Sequence, residues 1–336
     1  MENMKDRVTI YQVAKAAGVS LATVSRVINH SGNVTEETRR RVEKTIADLG
    51  YKPSGVAQAL ATNRSTNIGI VVPSANYVFI ANLLNGVTEI AREKKFTLTL
   101  FSTYHSREDA LEVIEKVITS HVDGAVIFDD QLQQADIDAI GSYNVPTVLI
   151  DSKATGEKVA NIRLSFSDIL KSKIRHYYEN GGDKPMSFLH VHNAGRLRAK
   201  CEKAFIQVHE ELGREYHIIN CPDSYSRTYS EFQDYFNDPE HRKGFFICHR
   251  DSISAAVINA ARENGLSIPE DVEIVSLVGT KYAYILRPTL SAFHIDFQEV
   301  GKRAMYMLID LMNRELVEKN TFFDAKFMAG ETTIHW

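Results

Sequence analysis

The chain has 336 residues, too many for one ordinary hydrophobic core and suited to two or three domains. It is 44% hydrophobic and 24% charged, and no apolar run approaches the roughly 18–20 residues that a membrane span needs. Integral membrane proteins and disordered proteins are therefore excluded, and we expect no membrane partner.

Charge and cysteine usage narrow the class further. Residues 1–65, the head, carry ten basic and six acidic side chains, a net charge of +4. Because the whole chain has a net charge of −4, the remaining residues carry a net charge of −8. This asymmetry indicates a polyanion-binding module on a body with another task; ordinary solvated surface charge is the alternative. The N-terminus lacks a signal-peptide pattern, and three scattered cysteines fit no disulfide framework or CxxC spacing. We expect a cytoplasmic protein.

The head is marked by helix start and stop signals. Thr9-Ile10-Tyr11-Gln12 is a capping box, and Gly18 ends the helix that it starts. Ser20 caps a second helix, while Thr35 caps a third that Gly50 closes. The predicted buried stripes of the later two helices are Val24, Val27 and Ile28, then Val42, Ile46 and Leu49. The spacing predicts a helix-turn-helix.

The second helix exposes Leu21, Ala22, Ser25 and Arg26 on its opposite face. A helix in the DNA major groove reads bases with its N-terminal residues, and an arginine can bond guanine O6 and N7 together. Leu21 and Ala22 would offer apolar contact to thymine methyl groups. The pattern predicts a DNA-reading helix; a three-helix bundle for protein contact, with Arg26 as surface charge, is the alternative.

These motifs resemble the LacI/GalR family of bacterial transcription regulators. The matching segments are Thr9–Ala14, Ala17–Ser20, Thr23–Asn29 and Leu49–Pro53. Ser20–Thr23 most resembles the catabolite-control branch. The resemblance implies a wider set of DNA contacts: Thr9, Tyr11, Ser20, Thr23, Asn29, Tyr51 and Ala57.

Residues 53–66 predict a short hinge helix and linker. Pro53 suits a first helical position, and the small apolar residues that follow make about two turns, which is marginal without a partner. Family members pair two hinge helices in the minor groove, so the resemblance implies that Leu60 wedges into the central base step. A linker helix with Leu60 in a domain core is the alternative.

From Asn67 onward, short apolar runs alternate with amphipathic helical stretches, which predicts two successive doubly wound α/β halves with a ligand cleft at the carboxyl ends of their strands. The predicted strands are 68–72, 96–101, 125–128 and 147–150, then 186–191, 216–220, 245–248 and 272–277. The resemblance continues here as a periplasmic-binding-protein-like core of two lobes.

The expected organisation is an all-α helix-turn-helix domain at 1–52, the hinge at 53–66 and an effector-binding and dimerisation core at 67–336. Lobe 1 should span about 67–153 and 296–323. Lobe 2 should span about 162–290 and 325–336, with the chain first crossing near 153–161.

No catalytic motif is present: GxGxxG, Walker A, GxSxG and HExxH are all missing. The pattern His190-Val191-His192 favours a strand end facing a cleft over a metal site. We therefore expect no enzyme activity, no catalytic residues, no cofactor and no metal. An exported solute-binding protein does not explain the head. A cytoplasmic solute-binding or enzymatic α/β protein with an accessory DNA-binding head is the alternative.

The predicted cleft departs from the family pattern. Val278 and Gly279 stand where sugar-binding members carry an Asp that holds ligand hydroxyls, and Arg250-Asp251 replaces an Asn-Asp pair. A cleft with arginines and few carboxylates favours a small anionic effector such as a sugar phosphate; a vacant cleft is the alternative. The expected effector-binding residues are Tyr77, Phe79, Asp151, Arg198 and Arg250.

The resemblance also implies partners. It predicts a homodimer that binds a pseudo-palindromic double-stranded DNA operator and represses carbohydrate-related genes. Catabolite-control members also bind a phosphorylated carrier protein, through a Tyr-Asp pair and an arginine on the helix matching 297–313. Gln298-Glu299 and Tyr306 stand at those positions, which argues against that partner.

Overall fold

The computed structural model describes residues 8–29, 32–52, 66–192 and 195–336. It divides into two compact units, residues 1–66, which contain the head, and residues 67–336, the core. Among the described residues, no helix is long and apolar enough to cross a membrane.

The described part of the head contains helices α1 (Ile10–Ala17), α2 (Leu21–Ile28) and α3 (Glu36–Leu49). Their starts are capped as the sequence predicts. The Thr9 N–H donates to Gln12 Oε1 at 2.8 Å, and the Ser20 hydroxyl accepts the Thr23 N–H at 3.2 Å. These bonds satisfy amides that a helix start otherwise leaves unpaired.

Apolar side chains from all three helices form the small core of the head. Val13, Val24 and Val42 are fully buried within it. Leu49 was predicted on the buried stripe of α3, but its side chain is exposed, because it lies in the last turn before the left-handed Gly50. The prediction that Leu49 is buried is therefore wrong.

The first sheet of the core has the strand order β11-β5-β4-β3-β1-β2, and all its neighbouring pairs are parallel. Its strands are β1 (Asn67–Val72), β2 (Thr97–Ser102), β3 (Gly124–Ile127), β4 (Thr147–Ile150), β5 (Val159–Ser165) and β11 (Asn320–Asp324). Helices α4 (Val78–Lys94), α5 (Arg107–Thr119) and α6 (Gln134–Ser142) connect the early strands.

The second sheet has the order β12-β10-β9-β8-β6-β7, with only the β10–β12 pair antiparallel. Its strands are β6 (Met186–His190), β7 (Tyr216–Asn220), β8 (Gly244–Cys248), β9 (Val272–Ser276), β10 (Ser291–His294) and β12 (Lys326–Met328). Its helices are α7 (Ser167–Glu179), α8 (Gly195–Leu212), α9 (Tyr225–Asn237), α10 (Asp251–Glu263) and α11 (Lys281–Ile285).

The chain passes between the sheets later than the sequence predicts. The predicted first crossing at 153–161 and the predicted start of lobe 2 at about 162 both conflict with β5, which pairs with β4 and β11 in the first sheet. The crossing therefore follows Ser165. The strand escaped prediction because its pattern, VANIRLS, mixes polar residues into a short apolar run. Later crossings follow β10 and lie at Ala325, between β11 and β12.

Helix α12 (Phe297–Asn313) packs closely against α4 in lobe 1. Two glycines permit this approach. A Cβ at Gly86 would lie 2.0 Å from the Gln298 carbonyl oxygen, and one at Gly301 would lie 2.2 Å from that of Leu83. Because both obstacles are backbone atoms, any larger residue must push the helices apart.

We expect Gly301→Ala to lower the free energy of unfolding of the core by about 1–3 kcal/mol, the usual cost of overpacking. Urea titration followed by the fluorescence of Trp336, the single tryptophan, measures this. The matched control is Gly141→Ala in α6, where a Cβ meets no atom within 4 Å. Equal stability of the two variants would contradict the close approach.

Candidate functional site

The first candidate site is the exposed face of α2. Val24 and Val27 point into the core of the head, while Leu21, Ala22 and Arg26 are exposed. Ser20 caps the start of α2, and the first residues of the helix, Leu21 and Ala22, are exposed there. An exposed helix with apolar residues first and an arginine one turn later suits insertion into a DNA groove.

Local contacts hold several of the predicted DNA-binding residues in place. Arg26 lies against the left-handed Gly32, whose added Cβ would be 3.2 Å from Arg26 Cδ. Asn29 Nδ2 donates to the Ser25 hydroxyl at 3.2 Å, and the Ser20 and Thr23 hydroxyls are 2.9 Å apart. These contacts limit the rotamers of the α2 face, which lowers the entropy lost on binding.

The remaining predicted DNA-binding residues differ in their surroundings. Tyr11 is 69% exposed, and Thr9 is also exposed. Tyr51 is only 8% exposed and its ring packs in the core of the head, so its DNA contact stays a prediction. Ala57 and Leu60 lie outside the described residues.

The second candidate site is the cleft between the two lobes of the core. All five predicted effector-binding residues line it, and the free space amounts to a cavity of about 50 Å³. The full lining is Pro73, Tyr77, Phe79, His105, Phe128, Asp130, Asp151, Leu197, Arg198, His249, Arg250, Val278 and Phe297. The predicted set is thus brought together in one cavity.

An aromatic wall forms the lobe 1 side of the cleft. The Tyr77 and Phe79 rings stack with centroids 5.4 Å apart, and Phe79 packs on Phe297 at 5.2 Å. Phe128 completes the group, 6.3 Å from both Phe79 and Phe297. This wall offers a flat apolar surface to the carbon skeleton of a ligand.

A polar network centred on Asp223 bridges the lobes. Tyr77, from lobe 1, donates its hydroxyl to Asp223 Oδ2 at 3.0 Å. In lobe 2, His249 Nε2 lies 2.9 Å from Asp223 Oδ1, and Arg250 pairs with the same oxygen at 2.5 Å. The Arg250 guanidinium also lies over the Tyr77 ring, 5.1 Å from its centroid.

The network alters the pKa of its members. Burial opposes ionisation of Asp223, but the hydrogen bond with His249 and the charge of Arg250 together hold its pKa below the usual range. Burial lowers the pKa of His249 to about 4. Burial and the neighbouring Asp223 charge raise the pKa of Tyr77. Arg250, predicted to bind an anion, therefore already has its charge balanced by a carboxylate.

Helix α8 supplies a second set of contacts between the lobes. Asp130 Oδ1 accepts the Arg196 N–H at 3.0 Å, at the start of α8. Lys200 pairs with the buried Asp151 at 2.7 Å, which leaves Asp151 Oδ2 buried without a partner. Arg198, on the same helix, is half-buried in the cleft and makes no hydrogen bond or ion pair with any described residue.

The positions that depart from the family pattern have a steric account. Val278 lines the cleft with an apolar side chain. A Cβ at Gly279 would lie 2.5 Å from the Ala292 Cβ on β10, so this position has no room for an aspartate. The adjoining Asp251 does not line the cleft but accepts the Thr280 N–H at 2.8 Å.

Sequence reasoning missed Asp223, His249 and His105. A usable signal was present, because Asp223 closely follows β7 and His249 directly follows β8, at the carboxyl ends where parallel sheets hold ligands. The His190-Val191-His192 pattern does not belong to the interlobe cleft. His190 Nδ1 lies 2.7 Å from Glu202 Oε2, and His190 and His192 line a separate depression of lobe 2. Among the described residues, no three metal-ligating side chains are clustered.

An exposed recognition-type helix in a helix-turn-helix head, on the same chain as a two-lobed α/β core with a cleft, defines the class of DNA-binding transcriptional regulators. Comparison with known proteins agrees. Residues 9–54 match the family described as bacterial regulatory proteins, lacI family, and residues 174–333 match the periplasmic binding protein-like domain.

Full-length relatives give the same result. The HTH-type transcriptional regulator pepR1 of Lactobacillus delbrueckii subsp. lactis is 30% identical, covering 98% of this chain and 99% of that protein. Catabolite control protein A of Priestia megaterium is 27% identical, covering 93% and 95%. This chain belongs to the LacI family of bacterial transcriptional regulators.

Structural similarity extends over both units. The lac repressor dimer bound to operator and the anti-inducer ONPF matches 98% of this chain and 100% of that chain, with a TM-score of 0.83 and 22% sequence identity. At this identity the likeness concerns the fold. It confirms the predicted class, a helix-turn-helix head with a two-lobed α/β core.

We expect the core to lose stability as the pH falls from about 6.5 to 4. An unfolded histidine titrates near pH 6.5, whereas buried His249 titrates at about 4, so the unfolded state binds more protons in this window. The loss from His249 is about 3 kcal/mol in total. His249→Gln should reduce this dependence, and His105 and His209, whose pKa burial also lowers, should leave a smaller one.

Urea unfolding of the core at a series of pH values, followed by Trp336 fluorescence, measures the effect. The control is His217→Gln, because His217 is an exposed residue on β7. It should keep the wild-type pH dependence. If His249→Gln kept it too, the assigned titration of His249 would be wrong.

Proposed function

We propose that this chain binds a pseudo-palindromic DNA operator as a homodimer and represses carbohydrate-related genes. The observation that carries the proposal is the geometry of α2, with Val24 and Val27 buried and Leu21, Ala22 and Arg26 exposed. Leu21 and Ala22 make apolar contact with base edges, and Arg26 bonds a guanine. The other proposed contacts are Thr9, Tyr11, Ser20, Thr23, Ser25 and Asn29.

We infer a homodimer because one short recognition helix contacts only a few base pairs. One α2 helix contacts one half-site, so two-fold pairing doubles the recognised sequence and makes the operator symmetric. The likeness to the operator-bound lac repressor dimer supports this arrangement. Tyr282, Tyr284 and Ile285 also expose apolar surface on α11, which is available for contact between copies.

The same proposal covers location and chemistry. A protein that regulates bacterial genes must reach the chromosome, so it acts in the cytoplasm. Its relatives are transcriptional regulators, and we assign this chain no enzymatic activity and no catalytic residues.

We also do not propose the phosphorylated carrier protein as a partner. On α12, Gln298 bonds Glu89 at 3.1 Å, and Glu299 pairs with Lys302 at 3.1 Å.

The effector of this regulator is a small anion bound in the interlobe cleft. Arg198 is the group that attracts it, because no described carboxylate pairs with it directly, although Asp223 and Asp130 lie near enough to act on its charge. Tyr77–Asp223 and Lys200–Asp151 join the lobes, so a ligand inserted between them changes the angle at which they meet. A change in lobe angle is the means by which the effector alters operator affinity.

We expect Arg26→Ala to weaken operator binding by about 1–3 kcal/mol, or roughly 5- to 150-fold, because a bidentate guanine contact is lost. The preference for guanine at one position of each half-site should relax at the same time. Gel-shift titrations with the operator and with single-base-pair variants measure both effects.

The contrasting variant is Arg40→Ala on α3, whose side chain is exposed and paired with Glu36. It should leave the base preference intact, even if affinity for every sequence falls slightly. Unchanged base preference in Arg26→Ala would remove Arg26 from the recognition surface.

A further inference from the structure

We propose that the effector is a singly charged polyhydroxy carboxylate. Its carboxylate pairs with Arg198, and its hydroxyl groups donate to Asp151 and His249. This inference rests on the proposed function, since it names the chemical class of ligand for the same cleft.

Within the described part of the chain, no carboxylate pairs directly with the lining cation Arg198, which leaves its guanidinium open to one negative group. Among the described residues, the lining arginines are Arg198 and Arg250, and Asp223 already neutralises Arg250. Burial lowers the pKa of Arg198 and that of His105, so His105 adds no second cation at neutral pH. A single guanidinium in a half-buried site binds a carboxylate through two parallel hydrogen bonds.

A second negative charge on the ligand meets opposition. Asp130 and Asp151 line the same cavity, and Asp223 lies beside it. A phosphate monoester carries close to two charges at neutral pH, whereas Arg198 balances only one. The cleft therefore favours a carboxylate monoanion over a sugar phosphate.

Among the described residues, two fully buried polar atoms of the lining have no hydrogen-bond partner, and both are acceptors. Burial raises the pKa of Asp151, and the ion pair of its Oδ1 with Lys200 opposes that rise; its buried Oδ2 accepts no hydrogen bond from any described residue. His249 Nε2 lies 2.9 Å from the Asp223 carboxylate, which only accepts, and 3.3 Å from Arg250 Nε, so the shorter contact assigns the proton to Nε2. Nδ1 of the same neutral ring is then a bare acceptor, and it is also unpartnered.

Two buried acceptors require donors from the ligand, since leaving them unpaired is costly. Hydroxyl groups supply such donors without adding charge. The Tyr77–Phe79 stack faces the same cavity and can cover one side of the carbon chain. With about 50 Å³ free, the lobes must separate slightly to admit a ligand.

Isothermal titration calorimetry of the full-length protein tests the proposal with four compounds. Gluconate carries one charge and hydroxyls, glucose has only hydroxyls, hexanoate has only the charge, and glucose 6-phosphate carries the higher charge. We expect gluconate to bind at least about 10-fold more tightly than each of the others. Arg198→Gln should weaken gluconate binding by roughly 10- to 100-fold.

The matched control is Arg227→Gln, which removes an exposed arginine of α9 in the same lobe and should leave gluconate binding unchanged. Thermal melts monitored by Trp336 check that both variants fold. Tighter binding of glucose, hexanoate or glucose 6-phosphate would overturn the proposal. So would gluconate binding that Arg198→Gln does not affect, or no binding of any compound.

A gel shift on the same protein separates this inference from the proposed function. Operator binding without gluconate binding refutes the ligand class and leaves the DNA-binding regulator standing. If the wild-type protein bound no DNA sequence specifically, the proposal that it is a DNA-binding regulator would itself be refuted.

Discussion

The cleft exists because parallel sheets bury both of their faces and leave only their strand ends for polar side chains. Strands β1, β8 and β9 are almost wholly buried along their lengths. The loops that follow the strands consequently supply polar groups of the cleft, whereas Glu273 within β9 is buried and paired with Lys184 at 2.8 Å. Asp151 follows β4 and His249 follows β8, and the repeated crossing of the chain brings these two strand ends face to face.

Asp223 connects the two lobes at these strand ends through hydrogen bonds and an ion pair. Its carboxylate accepts from Tyr77 of lobe 1 and pairs with Arg250 of lobe 2, so the lobes share a partly buried charge. Since an unpaired buried charge is expensive, opening the cleft must either hydrate this network or replace its contacts with those of a ligand. That coupling is what makes the core suitable for regulation by a small molecule.

Much of the fold could be predicted because periodicity and capping are local. The capping box at Thr9, the left-handed Gly18 and the apolar runs of β1 and β8 are all readable within a few residues. Strand β5 could not be read in this way, because its polar residues are buried only by its neighbours in the sheet. Asn161, for example, is 3% exposed and donates to the Ala154 carbonyl oxygen.

The site was predicted less completely than the fold. Resemblance placed Arg198 and Asp151 in the cleft, but the partner of Arg250 lies 27 residues away and Tyr77 meets Asp223 across 146 residues. Pairings at such separations depend on the lobe arrangement and leave no local pattern. The charge balance of the cleft, and with it the class of ligand, therefore needed the structure.

The measurement that tests this account most directly is selection of DNA from a random pool by the full-length protein, followed by sequencing of the bound fragments. Two recognition helices related by a two-fold axis predict enrichment of two inverted half-sites at a fixed spacing. Enrichment of a single asymmetric site, or no enrichment at all, would contradict a dimeric regulator that reads DNA with α2.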